Sequence, residues 1–360
     1  MRQTFTTRTA RVFSGNLKAA PQTASGRATQ KRLRRPKWSE LLTIALAFVL
    51  CKAVAEAQPA KVWKVGVLVS TTQVLDSVRA DALHHGLRDH GYEEGKNLTL
   101  EYRYADGKLE RLPQLAREII EMKIDVIVVG GTSVAVAAKN ATSTIPIVVA
   151  GAGDLVEAGL IRSYMNPGGN VTGVGRLSAD FFGDRLKLIK EILPKATQVA
   201  ALSNPNNPGH GRSLKDADLG ARASGLSFQS VAARTANELN GAVASAAKGG
   251  ASALFILSDA MFNSRVEQIA QASIKNRLPA IYDRTTFVDA GGLMSYGVNL
   301  ADLSRRAAEY VHQIFKGAKP SDLTLVQPTK FDLSVNLKTA EQIGVTIPPQ
   351  VLQRAVKVIK

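Results

Sequence analysis

Short polar and glycine-rich clusters that directly follow apolar runs are the positions where this sequence could do chemistry. They are Ser70-Thr71-Thr72-Gln73, Gly131-Thr132-Ser133, Gly151-Ala152-Gly153-Asp154, Ser203-Asn204-Pro205, Ser258-Asp259-Ala260-Met261 and Tyr282-Asp283. Small side chains with free backbone N–H groups suit the hydrogen bonding of a small polar molecule. Gly131-Thr132-Ser133 could aim N–H groups at a carboxylate or could simply cap a helix, and Asp154 is open in the same way. Asp259 could hold an ammonium group by a charge-assisted hydrogen bond, or serve as an ordinary helix N-cap.

Covalent and metal chemistry find little support. Gly91 to Lys96 is one residue short of a P-loop and leads into a strand instead of following one, so it reads as a turn. There is no G-x-G-x-x-G after a strand, no G-x-S-x-G elbow and no H-E-x-x-H. His84, His85 and His90 lie among Asp81, Arg88 and Asp89, which reads as the solvent side of a helix and not as a metal site. The expectation is a chain that is not an enzyme and carries no cofactor.

The elements that must position these clusters alternate short Val/Ile-rich runs with amphipathic stretches, the pattern of repeated βα units around a parallel sheet. Strands are predicted at Val62–Ser70, Leu98–Tyr104, Asp125–Gly130 and Ile145–Ala150, with helices at Ser77–His90 and Leu109–Met122. In the first helix Val78, Ala82, Leu83 and Leu87 are placed along one side. After the turn-rich Asn166-Pro167-Gly168-Gly169-Asn170 a second series starts. It has helices at Ala179–Ile192, Ser213–Ala223, Ala236–Ala247, Ser264–Asn276 and Leu300–Phe315. Its strands are Gln198–Ser203, Leu226–Ala232, Ala253–Leu257, Ala280–Tyr282, Leu293–Tyr296 and Phe331–Val335, and Lys338–Ile343 adds a turn of helix. Two similar series imply two doubly wound, Rossmann-like α/β lobes with parallel sheets, whose strand-end loops face one another across a cleft.

The 360 residues, 45% hydrophobic, suffice for two domains of ordinary size. The net charge of +16 is unevenly spread. Residues 1–57 hold 11 Lys/Arg against two acids, and the remainder holds 35 against 28. Beyond the N-terminus the basic residues alternate with acids and lack interleaved aromatics, which argues against a nucleic-acid surface. The N-terminal excess precedes an apolar run from Leu41 to Cys51 and small residues ending at Ala55-Glu56-Ala57. That is the pattern of a signal peptide with a long basic leader, spanning residues 1–57 and cleaved after Ala57. Leu50 before Cys51 is large for a lipoprotein site, and Arg34-Arg35 leaves a twin-arginine route open. Cys51 is the only cysteine, so a chain cleaved there has neither disulfide nor thiolate.

Several strings resemble one family: GLRDHGYEEGKNLTLEYRYADGKLERLPQLA, DVIVVGGT, TIPIVVA, NPGGNVTGV, VAALSNPNNP and QPTKFDLSVNLKTAEQIGVTIP. The chain resembles the ABC-transporter substrate-binding family over nearly all of Lys61 to Pro349. The better-understood members of that family are tryptophan- and tyrosine-type binding proteins of the two-lobed type I periplasmic binding fold. The resemblance implies three interlobe crossovers, which give an N-terminal lobe of residues 61–172 plus 298–318 and a C-terminal lobe of 173–297 plus 319–360. It also implies an exported, periplasmic or extracytoplasmic solute binder, monomeric, that closes on a small-molecule solute and delivers it to the membrane subunits of an ABC permease, with no nucleic acid as partner. The solute expected is an amino acid or another carboxylate. An exported sensing module for a separate receptor is the alternative, with an α/β hydrolase behind it.

The resulting set of ligand contacts is Ser70, Thr71, Gln73, Gly131, Thr132, Ser133, Gly151, Asp154, Asn204, Ser258, Asp259 and Tyr296. Within it, Thr132, Ser133 and the glycine N–H groups would hold a carboxylate, Asp259 an amine, and Gln73, Asn204 and Tyr296 the remaining polar atoms. No aromatic residue stands in the Ser70–Gln73 or Gly131–Ser133 loops to stack on an aromatic ligand.

Overall fold

The structure is a computed structural model that describes residues 61–175 and 179–360. The signal-peptide pattern, its cleavage point at Ala57 and Cys51 lie outside the described residues. Five parallel strands form the first sheet: β1 (Trp63–Val69), β2 (Leu98–Tyr104), β3 (Val126–Val129), β4 (Ile147–Ala150) and β5 (Val171–Val174), in the order β2-β1-β3-β4-β5. Its helices are α1 (Gln73–Asp89), α2 (Leu112–Glu121) and α3 (Thr132–Ala141).

The inner strands β3 and β4 read as continuous apolar runs because both faces of the sheet are covered there. In β3, Val126 and Val128 join one core cluster while Ile127 and Val129 join the other, the period of two that a strand imposes. Each of these four side chains is at most 4% exposed, and burial of a Val or Ile is worth about 1.5–3 kcal/mol.

The second sheet is larger, in the order β12-β11-β10-β9-β8-β6-β7. In chain order its elements begin with α4 (Ala179–Ile192), β6 (Gln198–Ser203), α5 (His210–Ala223), β7 (Ser227–Ala232), α6 (Leu239–Lys248) and β8 (Ala253–Ile256). They continue with α7 (Ala260–Asn263), α8 (Val266–Lys275), β9 (Ala280–Tyr282), α9 (Thr285–Asp289) and β10 (Met294–Val298). After α10 (Leu300–Phe315) come β11 (Phe331–Asn336), α11 (Leu337–Ile343), α12 (Pro349–Arg354) and β12 (Lys357–Ile359). Again two apolar clusters flank the sheet, and β8 sends Phe255 to one and Leu254 and Ile256 to the other. The doubly wound reading is borne out, with one departure from a purely parallel pattern: β11 runs antiparallel to β10.

Helix α10 leaves the end of β10 and lies on α1 of the first sheet. Leu303, Ala307, Ala308 and Val311 share a core with Leu83 and Leu87. Gly86 allows the approach, since a Cβ there would lie 2.8 Å from the Ala308 Cβ. The chain then gives Leu325 to the first core and bridges Val326 to Val174 before entering β11.

Four details depart from the sequence reading. The turn-rich Asn166–Asn170 does not end the first sheet, because β5 follows it. Asn170 Nδ2 donates to the Ile145 carbonyl (2.7 Å), tying the turn to β4. Within β5, Gly173 has φ 125° and its Cα abuts the Val149 backbone, so a short strand with a mandatory glycine carried little apolar signal. The helix expected over Ser264–Asn276 is present from Val266, but a separate short helix, Ala260–Asn263, precedes it at the end of β8. In α1, Val78 is 59% exposed, and it is Arg79 that turns inward. Among the described residues, no helix is long and apolar enough to cross a membrane.

Candidate functional site

The carboxyl ends of β1, β3 and β4 face those of β6, β8 and β9 across a cleft. Of the twelve expected contacts, the structure brings seven to this cleft: Ser70, Gly131, Thr132, Gly151 and Asp154 from the first lobe, Ser258 and Asp259 from the second.

On the first wall the backbone folds back on itself. Gly131 N–H donates to the Gly151 carbonyl (2.7 Å), and Gly153 N–H donates to Thr132 Oγ1 (3.1 Å). Gly131 sits at φ 93° as the N-cap of α3, which has no side-chain cap, so the first turn of α3 keeps N–H groups free beside the cleft. Behind it, the Arg79 side chain is 11% exposed. Its Nη2 donates to the Ala150 carbonyl (2.9 Å) and its Nε lies 3.6 Å from Asp76 Oδ1. Its guanidinium occupies the space a Cβ on Gly130 would need, so a larger residue there would displace it. Burial lowers the Arg79 pKa and raises that of Asp76, each partly offset by the other's charge.

The remaining first-lobe candidates stand elsewhere. Thr71 is buried on a smaller cavity shared with Asp76 and Arg79, Gln73 is exposed at the start of α1, and Ser133 is half-buried within α3.

On the second wall Asp259 is 2% exposed and fully engaged by protein donors. As N-cap of α7 its Oδ1 accepts from Met261 N (2.9 Å) and Phe262 N (3.2 Å), and its Oδ2 accepts from Asn207 Nδ2 (2.8 Å) and Asn204 Nδ2 (3.2 Å). Asn204 therefore stands behind Asp259 as its partner. His210 accepts from Asn204 N–H at Nδ1 (2.9 Å) and pairs through Nε2 with the Ser258 carbonyl (3.0 Å), which fixes a neutral tautomer. Burial lowers its pKa against the pull of Asp259. Tyr296 does not line the cleft; it clusters with Phe181 and Phe331 beside a separate surface cavity with Arg354 and Glu191.

Several cleft residues escaped the sequence reading, three of them on α4. Arg185 of α4 is 1% exposed, donates Nη1 to the Ile256 carbonyl (3.0 Å) and Nη2 to the Ile281 carbonyl (2.7 Å), and lies 3.9 Å over the Phe255 ring. Burial lowers its guanidinium to about 9, against the attraction of Asp283. The signal was present: Arg185 falls on the stripe of Phe181, Phe182, Leu188, Ile189 and Ile192 that buries α4. Phe181 and Phe182 give the cleft an apolar flank from a helix the loop-based search did not cover.

The two walls touch. Glu157, in the turn that Asp154 Oδ1 caps, accepts the Arg212 backbone N–H across the cleft through Oε2 (2.7 Å). Helix α5 has no side-chain cap of its own, so the first lobe caps the second. A Cβ on Gly211 would lie 2.7 Å from Glu157 Oε1, and one on Gly209 would lie 3.0 Å from Thr132 Oγ1. The cleft is closed, with a cavity of about 80 Å³.

Residues 64–359 match the family described as ABC transporter substrate binding protein. The tyrosine-binding protein of Clostridioides difficile (strain R20291) is 26% identical over 258 residues, 71% of this chain and 74% of that protein. Among solved structures, a conserved domain protein from Vibrio cholerae superposes with a TM-score of 0.77 at 31% identity, covering 83% of this chain and 100% of the other. An ABC domain from Streptococcus pneumoniae in complex with L-Trp gives 0.76 at 24% identity, over 82% and 99% of the two chains. The ligand-free, open structure of a substrate-binding protein from Clostridium difficile, also 24% identical, gives only 0.63 over 83% and 100%. The fold is that of the type I periplasmic binding proteins.

Proposed function

This chain belongs to the ABC transporter substrate-binding protein family, and on that premise we propose that it captures a small solute by lobe closure and hands it to the membrane subunits of an ABC permease. The observation that carries the reading is the cleft itself: strand-end loops of two separate sheets converge on one cavity, and Glu157 and Arg212 join its rims. A ligand that contacts both walls binds the closed form better than the open one and so shifts the population toward it.

The expected ligand is an amino acid or another carboxylate. The free N–H groups at the start of α3, with Thr132 beside them, suit a carboxylate, while Ser70, Gly151 and Ser258 supply further polar contacts. Asp154 and Asp259 act through the loops they cap. The tyrosine-binding relative supports an amino acid. Export through the basic and apolar pattern of residues 31–57 would place the protein outside the cytoplasmic membrane, where family members meet their solutes.

A thermal-shift screen against amino acids, carboxylates, sugars and polyols tests the reading. A true ligand at 100 times its dissociation constant adds about 2.7 kcal/mol of stability. No shift with any class would count against solute capture.

A further inference from the structure

Three buried side chains at the cleft keep a polar atom without a hydrogen-bond partner among the described residues: Arg185 Nε, Asn263 Oδ1 and Asp283 Oδ1. The residues are 1%, 5% and 6% exposed, and all three line the cavity. They gather at the ends of β8 and β9, because Arg185 is anchored to the Ile256 and Ile281 carbonyls, Asn263 ends the helix after β8, and Asp283 follows β9. A protein leaves buried polar atoms unpaired at a cost, and such atoms mark places where function supplies the partner.

The set has one donor, Arg185 Nε–H, and two acceptors, one a carboxylate oxygen. The other oxygen of Asp283 lies 3.5 Å from Arg284 Nε, whereas Asp259 is saturated by its own loop. The acceptors call for a cluster of N–H donors, and the guanidinium calls for an adjacent acceptor. The cavity of about 80 Å³ suits a small solute better than a bulky one.

We propose that Asp283 and Asn263 accept hydrogen bonds from the ammonium group of a small aliphatic solute while Arg185 Nε donates to that solute's neighbouring carboxylate or carbonyl oxygen. This assignment rests on the reading of the cleft as the solute site. It makes Asp283 and Asn263 the specificity-determining residues and leaves Asp259 as the support of the loop beside them.

The test pairs ligands that differ only in the amine. Purified protein is titrated with glycine, L-alanine, L-serine and 4-aminobutyrate against acetate, propionate, lactate and butyrate, with L-tyrosine, L-tryptophan, glucose and glycerol in the same series. The expected result is saturable binding of one of the small amines, at least tenfold weaker for its amine-free partner. Asn263→Ala, which removes the unpaired Oδ1 without filling the cavity, should keep a cooperative melting transition while weakening the amine at least tenfold, and Asp283→Asn should weaken it similarly. A tightest ligand without an amine, tyrosine or tryptophan as tightest ligand, or unchanged affinity in both variants would overturn the assignment and leave the cleft reading standing. Silence of the unaltered protein toward every compound would overturn both.

Discussion

Glu157 provides a test of closure that does not depend on knowing the solute contacts. Replacing it with Ala removes the carboxylate that accepts the Arg212 N–H at 2.7 Å, the cap that α5 otherwise lacks. Loss of an N-cap costs about 1 kcal/mol in typical cases, and the exposed position of Glu157 argues against a larger figure. The two residues sit on different lobes, so the contact exists only when they meet, and the cost falls on the closed form alone. A shift of about 1 kcal/mol lowers the closed-to-open ratio roughly fivefold, and ligand affinity by up to the same factor, mostly as faster dissociation. Gly211→Ala should act through the same contact, since its Cβ would lie 2.7 Å from Glu157 Oε1 and displace that carboxylate. In a double-mutant cycle read by stopped-flow dissociation and calorimetry, Gly211→Ala should add little once Glu157 is Ala. Unchanged dissociation in Glu157→Ala, or additive effects in the double variant, would refute the latch.

Other consequences are open to direct measurement. Asp259→Ala removes the α7 cap and strands the Asn204 and Asn207 amides, so it should lower stability by about 1–3 kcal/mol, seen in denaturant unfolding; a weaker ligand with unchanged stability would instead make Asp259 a contact. Gly173→Ala places a methyl against the Val149 backbone at φ 125° and should cost more than about 2 kcal/mol; a melting temperature within a degree of the parent would contradict this. His210 is held neutral, and burial puts its folded pKa below the ordinary value of 6.5. His312, stacked on His90, is lowered by burial first and then by the charges of His90 and Lys316. Both residues therefore stabilise the fold above about pH 6.5, and that contribution is lost as pH falls below it, because the unfolded chain binds the protons first. Melting temperature should drop between pH 7 and 5 and drop less in His210→Gln; a flat profile would contradict the assignment.

The Val/Ile runs located the parallel strands and their strand-end loops because burial on both faces leaves little room for polar residues. That is why seven expected contacts meet in the cleft. Asn204, Thr71, Gln73, Ser133 and Tyr296 did not join them because a position in a loop or strand does not give side-chain direction. Gln73 opens a helix outward, and Tyr296 points to the outer face of the second sheet, where it stacks on Phe331. Charged residues inside apolar stripes were the unread signal. Arg185 on α4 and Arg79 on α1 both sit where spacing calls for an apolar residue, and both turn in toward the cleft, Arg185 buried and Arg79 nearly so. Contacts such as Glu157 with Arg212 join residues 55 positions apart on separate lobes, and local pattern cannot reveal them. The short elements α12 and β12 lacked the length that periodicity requires.

The central claim is that a solute is held between the lobes, and a crystal structure grown with the most stabilising solute tests it most directly. The account predicts ordered ligand density bounded by Thr132 and the start of α3 on one side and by Arg185 and Asp283 on the other. Density confined to the surface cavity beside Tyr296 and Arg354, with the cleft filled only by solvent, would contradict it.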